Sequence, residues 1–279
     1  MMTGDDVLRY IGKKLLLGIV LIICVSFLVF SMIFMMPGDP VTLMAGELAN
    51  QDKIAETVEK YGLNRPLLVQ YFDWWKKIVT KQDFGISFKY KLPVWDLVKV
   101  RIPVSLKLTA ITMVVQYLIA VPLGLLCAYK KDSIFDKITV NLTLIMTSVP
   151  SFWIAVLLML LFAVKLKWLP LGGFESWKHY VLPITAGVLG GIASTLRLTK
   201  SEAIDALNDK YVSTAYAKGL AKHDVLIKHV LRNSMIIICV QISQSLPWLL
   251  SGFIILEKIF VIPGMGGLMI SSIVYQDFN

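Results

Sequence analysis

The sequence predicts an all-α polytopic membrane protein, and three observations predict it. The chain of 279 residues is 56% hydrophobic and only 17% charged, with a mean hydropathy of +0.69. Soluble domains carry nearer a quarter of charged residues. Residues 15–36, 108–129, 138–164 and 233–256 contain no Asp, Glu, Lys or Arg, and 180–196 is a shorter fifth run. Each of the four exceeds the roughly 20 residues that a helix needs to cross the hydrocarbon. Finally, the segments of about 10 residues with alternating polarity that mark a membrane barrel are missing. Helices are then the only way to satisfy the backbone in lipid.

The first element is a retained transmembrane helix. Arg9, Lys13 and Lys14 precede an apolar run that ends in "MMPGDP", too long for a signal peptide and with no small-residue cleavage site behind it. Residues 1–36 are read as a cytoplasmic N-terminus and this first span. Lys130, Lys131 and Lys137 follow the second run, and a basic cluster separates the fourth from the fifth. With five crossings these three positions share one side, and the positive-inside rule makes it the cytoplasm. The same rule accounts for the net charge of +9 without a nucleic-acid partner. Cys24, Cys127 and Cys239 all fall inside apolar runs, with neither metal-site nor disulfide spacing.

Residues 37–107 form an external segment of helices and loops. "NQDKIAETVEKYG" has helical spacing through Ile54, Val58 and Tyr61, with Gly62 as a C-cap. "RPLLVQYFDWWKKIV" starts a second helix near Pro66, with an apolar face at Leu68, Phe72, Trp75 and Val79. "QDFGISFKYKLPV" reads as extended or looping chain.

The remaining residues, 108–279, hold the core. Pro122, Pro150, Pro183 and Pro247 interrupt its spans, which membrane helices tolerate when neighbours satisfy the freed carbonyl. Thr147, Ser148 and Ser151 surround Pro150, which suits a kinked helix lining a cavity. Gln241, Gln244 and Ser245 accompany Pro247 in the same way. Ser148, Pro150, Ser151, Gln241 and Gln244 are therefore the candidate translocation-path residues. Gly187 and Gly191 form a GxxxG pair, read as close helix packing.

Some chemistry is missing from the sequence. It has no G-x-x-x-x-G-K-[ST] phosphate loop, no H-E-x-x-H and no nucleophile elbow. The uncharged runs hold no Asp or Glu of the kind that ion-coupled carriers keep inside the bundle. The chain reads as a pathway without its own engine, not as an enzyme.

Between the fourth and fifth runs, residues 197–232 stay polar. "YVSTAYAKGL" offers small side chains at Ser213, Thr214, Ala215 and Ala217, and Gly219 is placed to end a short helix in the left-handed conformation. Asp224 is expected to N-cap a second helix with Leu226, Val230 and Leu231 on one side. The lysines follow from topology, whereas the glycine break and the small-residue face suggest docking.

"TAYAKGL" followed by "HVLRN" resembles the cytoplasmic EAA loop of binding-protein-dependent ABC transporter permeases, in the dipeptide/oligopeptide/nickel branch. "PGDP", "YGLNRPLLVQY", "DFGISF", "SVPSFW", "WLPLGG" and "EKIFVIPGMGGL" match that branch in order. The resemblance implies a type I ABC importer transmembrane domain, the first of two permease subunits in a heterodimer in a bacterial or archaeal cytoplasmic membrane. It also implies two ATPase subunits that carry ATP and Mg, with no cofactor in this chain, and an extracytoplasmic solute-binding protein. By the same resemblance the ATPase-coupling positions are Ser213, Thr214, Ala215, Tyr216, Ala217, Lys218, Gly219 and Leu220, then His229, Arg232 and Asn233. Tyr216 stands where the branch often has Arg. The chain ends at "IVYQDFN", so five spans are visible and the sixth family helix is missing. Short peptides are the expected cargo, with nickel or a metal chelate as the alternative and an ATPase-independent carrier or channel as the alternative of another class.

Overall fold

Long apolar runs become long helices, because a helix closes every backbone hydrogen bond within its own segment. The computed structural model describes residues 4–35, 52, 55, 58–59, 64–87, 89–275 and 277, without the side chains of 4–5, 33–35 and 248–252. The "PGDP" stretch, Ile54, Tyr61 and the cap expected at Gly62 lie outside the described residues. In chain order the helices are α1 (Gly4–Met35), α2 (Leu67–Lys81), α3 (Val94–Tyr129), α4 (Ile134–Ser148), α5 (Ser151–Leu158) and α6 (Lys178–Leu207). Then follow α7 (Lys210–Ala217), α8 (Arg232–Ile259) and α9 (Met265–Val274). Among the described residues no strand occurs, only one bridge between Ile86 and Pro93 in the stretch read as extended.

Among the described residues four helices are long and apolar enough to cross a membrane, and a fifth crossing follows if α4 and α5 make one span. That pair departs from the kinked helix expected at Pro150. The chain breaks there, and the two arms meet at 94°. Val149 is extended and Pro150 caps α5, so the proline ends one helix and starts another. Pro122, Pro183 and Pro247 stay inside continuous helices. The boundary placed at residue 107 falls inside α3, which is continuous from Val94 and about 54 Å long at 1.5 Å per residue.

The chain divides into two compact units, residues 1–98 with 271–279, and residues 99–270. In the first, Tyr71 of α2 is buried and its hydroxyl donates to the Ile23 carbonyl of α1 at 2.9 Å. Phe27 and Phe30 pack edge-on against the same ring. This turns α2 one residue away from the expected face. Tyr71 faces α1, while Leu68, Val79 and Phe72, which is 67% exposed, point outward.

In the second unit α6 is the central helix, packed against α4, α5 and α8. The GxxxG glycines allow this approach. A Cβ at Gly187 would stand 2.9 Å from Thr112 Cγ2 of α3, and one at Gly191 would stand 2.6 Å from Gln116 Oε1. Two buried carboxylates sit just beyond the uncharged runs, where the helices extend further than those runs. Asp136 of α4 pairs with Lys200 of α6 at 2.6 Å. Glu257 of α8, 1% exposed, accepts from the amides of Gly266 (2.7 Å) and Gly267 (3.3 Å) at the start of α9, and from the Ser105 hydroxyl of α3. The freed amides of a helix start suit a carboxylate. A Cβ at Gly264 or Gly266 would collide with it, which explains two of the three glycines of "PGMGGL".

Candidate functional site

The polar stretch between α6 and α8 folds as two short helices around a glycine. α7 ends at Ala217, and Gly219 takes φ +79°, a left-handed conformation that glycine adopts without a Cβ penalty. The Leu220 amide donates to the Ala215 carbonyl (3.2 Å) and the Gly219 amide to the Tyr216 carbonyl (2.9 Å). These are the two bonds of a Schellman stop, and Leu220 adds its hydrophobic contact by packing into the cluster that contains Ala215. A Cβ at Gly219 would meet nothing within 4 Å, so backbone conformation alone requires glycine there.

The second helix starts at Lys222–Asp224, widens into a π-helical stretch over Val225–Leu231 and continues as α8. The expected cap is corrected. Ala221 holds the N-cap position, and Asp224 lies one turn in, pairing with Lys228 at 2.8 Å. The π register brings Val225 and Leu226 into line with Val230 and Leu231, five residues on. Val225, Leu226 and Val230 are buried together with Val212 and Ala215 against Leu125 and Ala128 of α3 and Ala203 and Ala206 of α6. Full burial of a valine side chain is worth roughly 1.5–3 kcal/mol. The loop is thus fastened to the ends of two spans by its own core.

Ala215, expected among the small side chains open to a partner, is only 4% exposed and belongs to that core. Ser213, Thr214, Tyr216, Ala217, Lys218 and Gly219 are exposed, as are Arg232 and Asn233, while Leu220 and His229 are half-buried.

A second feature lies within residues 116–256. The α4–α5 break, α3, α6 and α8 line a half-open cavity of about 690 Å³. Pro150, Ser151, Gln241 and Gln244 line it, as do Thr147 and Ser245. Ser148 does not, and its hydroxyl donates to the Leu144 carbonyl of its own helix at 2.9 Å. The wall also includes Gln116, Ser194 and Arg197, which the sequence reading missed. Gln116 donates to Thr195 Oγ1 at 2.8 Å across the α3–α6 contact. Arg197 falls one residue beyond the run that ends at 196, where its charge closed the expected span. Spacing could have found it, because Gly187, Gly190, Gly191, Ser194 and Arg197 recur at helical intervals on one face of α6.

Comparison with known proteins supplies the family. The family described as "Binding-protein-dependent transport system inner membrane component" matches residues 120–279, and its N-terminal companion family matches residues 7–109. The chain belongs to this family. It is the membrane permease component of an ABC importer, and the permease itself is not catalytic. It is 36% identical over 275 residues to the glutathione transport system permease protein GsiC of Salmonella paratyphi A, covering 97% of this chain and 88% of the relative. The GsiC protein of Escherichia coli (strain K12) is 35% identical over 273 residues, with the same coverage. Both relatives fit the dipeptide/oligopeptide branch that the motifs resemble.

Proposed function

We propose that this permease imports short, peptide-like solutes, as one half of a heterodimeric channel driven by ATP hydrolysis on two separate subunits and supplied by an extracytoplasmic binding protein. The N-terminus and the α7 loop lie in the cytoplasm. The observation that carries this reading is the way the loop is built. Its exposed face of Ser213, Thr214 and Ala217 is small enough for close approach, and its back is fused through Val212, Ala215 and Val225 to α3 and α6. A push on such a face moves the ends of the spans. The relatives' names, which refer to glutathione transport, support a peptide-like cargo.

The test reconstitutes the permease pair with its ATPases and binding protein in liposomes. Ala217→Asp places an unpaired carboxylate on the docking face without touching the loop core. It is expected to lower ATPase co-purification and ATP-dependent uptake by about tenfold or more, with the thermal unfolding of the permease unchanged. Uptake that proceeds at the same rate without ATPase subunits would identify a carrier instead.

A further inference from the structure

Arg197 stands alone in the cavity wall. Among the described residues it is the one charged side chain lining it, and no ion pair joins it. Its Nε donates to the Ala193 carbonyl of its own helix at 3.3 Å. A guanidinium carries five N–H donors in a planar fork. The contrast lies three residues further along the same helix, where Lys200 is matched to Asp136 at 2.6 Å. Arg197 follows directly on the uncharged run that ends at 196, and α6, which continues to Leu207, carries it into the cavity wall. The surroundings are neutral amides and hydroxyls (Gln241, Gln244, Ser194) beside the apolar Phe152, Phe253 and Leu256. Arg197 is itself exposed, so its guanidinium is reachable from the cavity.

We infer that Arg197 is a carboxylate-binding group of the cavity, which makes the pathway selective for solutes that carry a free carboxylate. The fork geometry matches a carboxylate in a bidentate pair, and the glutamines suit the amide groups of a short peptide. Arg197 also lies nearer the end of α6 that leads into α7, so the carboxylate would be held on the side where the loop attaches. This inference rests on the import reading and names the solute chemistry for it.

The experiment uses the assembled transporter in nanodiscs, without the binding protein, so that only the permease selects. Ligand-observed NMR measures the binding of trialanine and of trialanine amide to wild type, R197Q and R197K. R197Q is expected to weaken trialanine about tenfold, the effect of losing one charge-assisted hydrogen bond, and to change the amide less than about twofold. R197K, with the charge but not the fork, should fall between. S194D, which sets a carboxylate one turn from the guanidinium, should reproduce the selective loss and serves if R197Q does not assemble. Equal weakening of both solutes, no weakening, or a wild type without preference for the carboxylate overturns the inference. The last result also fits an arginine already occupied by a lipid phosphate or a partner's carboxylate. ATP-dependent uptake of trialanine by the wild type in liposomes is the separate arm, and its absence would sink the import reading itself.

Discussion

The coupling loop and the cavity are two kinds of functional site in one molecule. The loop takes its helix stop, its turn and its outward face from consecutive residues, and its few long-range contacts are apolar and interchangeable. The cavity takes its wall from five helices, α3, α4, α5, α6 and α8, and its polar groups come from stretches far apart in sequence. The loop therefore tolerates changes that keep its backbone and fails when its small core is charged. The cavity tolerates changes of polarity at many places and fails where helices touch most closely.

The substitution expected to have the largest effect falls on the loop. Ala215→Asp buries a carboxylate among Val212, Val225 and Val230 with no partner, a cost of at least about 3 kcal/mol. Loss of the folded permease in detergent, read by its thermal unfolding, should precede any question of ATPase binding. If Ala215→Asp instead unfolds normally and only docking is lost, the loop core has been drawn on the wrong side. A smaller effect is expected at the helix contact beside the cavity. Gly191→Ala drives a methyl group against Gln116, and overpacking of this kind costs about 1–3 kcal/mol. A lower unfolding temperature should be accompanied by a change in solute affinity, because Gln116 lines the cavity. The smallest effect should come from Gly219→Ala, which costs about 1–2 kcal/mol for the left-handed conformation alone. Gly219→Asn should cost less, since asparagine visits that region more readily. A thermal ranking that followed side-chain size would mean that something packs where this chain leaves open space.

How much could be read from sequence follows the same division. The loop was legible because its signals are local: a glycine after a run of small residues, then Leu226, Val230 and Leu231 on one side of the helix that follows. Two details were not legible. Ala215 carries no mark of which side it faces, and Asp224 has the right residue type for a cap one turn too late. The spans were legible as uncharged runs, but the helices outlast those runs, which is why Arg197, Asp136 and Glu257 escaped notice. A charge ends a hydropathy window without ending a helix. Along α2 the period was right and the phase was not, because the hydroxyl of Tyr71, which no hydropathy scale rewards, decides which side meets α1.

Glu257 also bears on how segments of the molecule depend on one another. Its carboxylate is satisfied by Ser105 on α3 and by the amides at the start of α9. A buried carboxyl group left without hydrogen-bond partners is costly, so the corner is stable only with these partners in place. The corner between α8 and α9 therefore depends on α3: Ser105 donates to Glu257 and accepts from the Met265 amide, so one hydroxyl ties all three segments together.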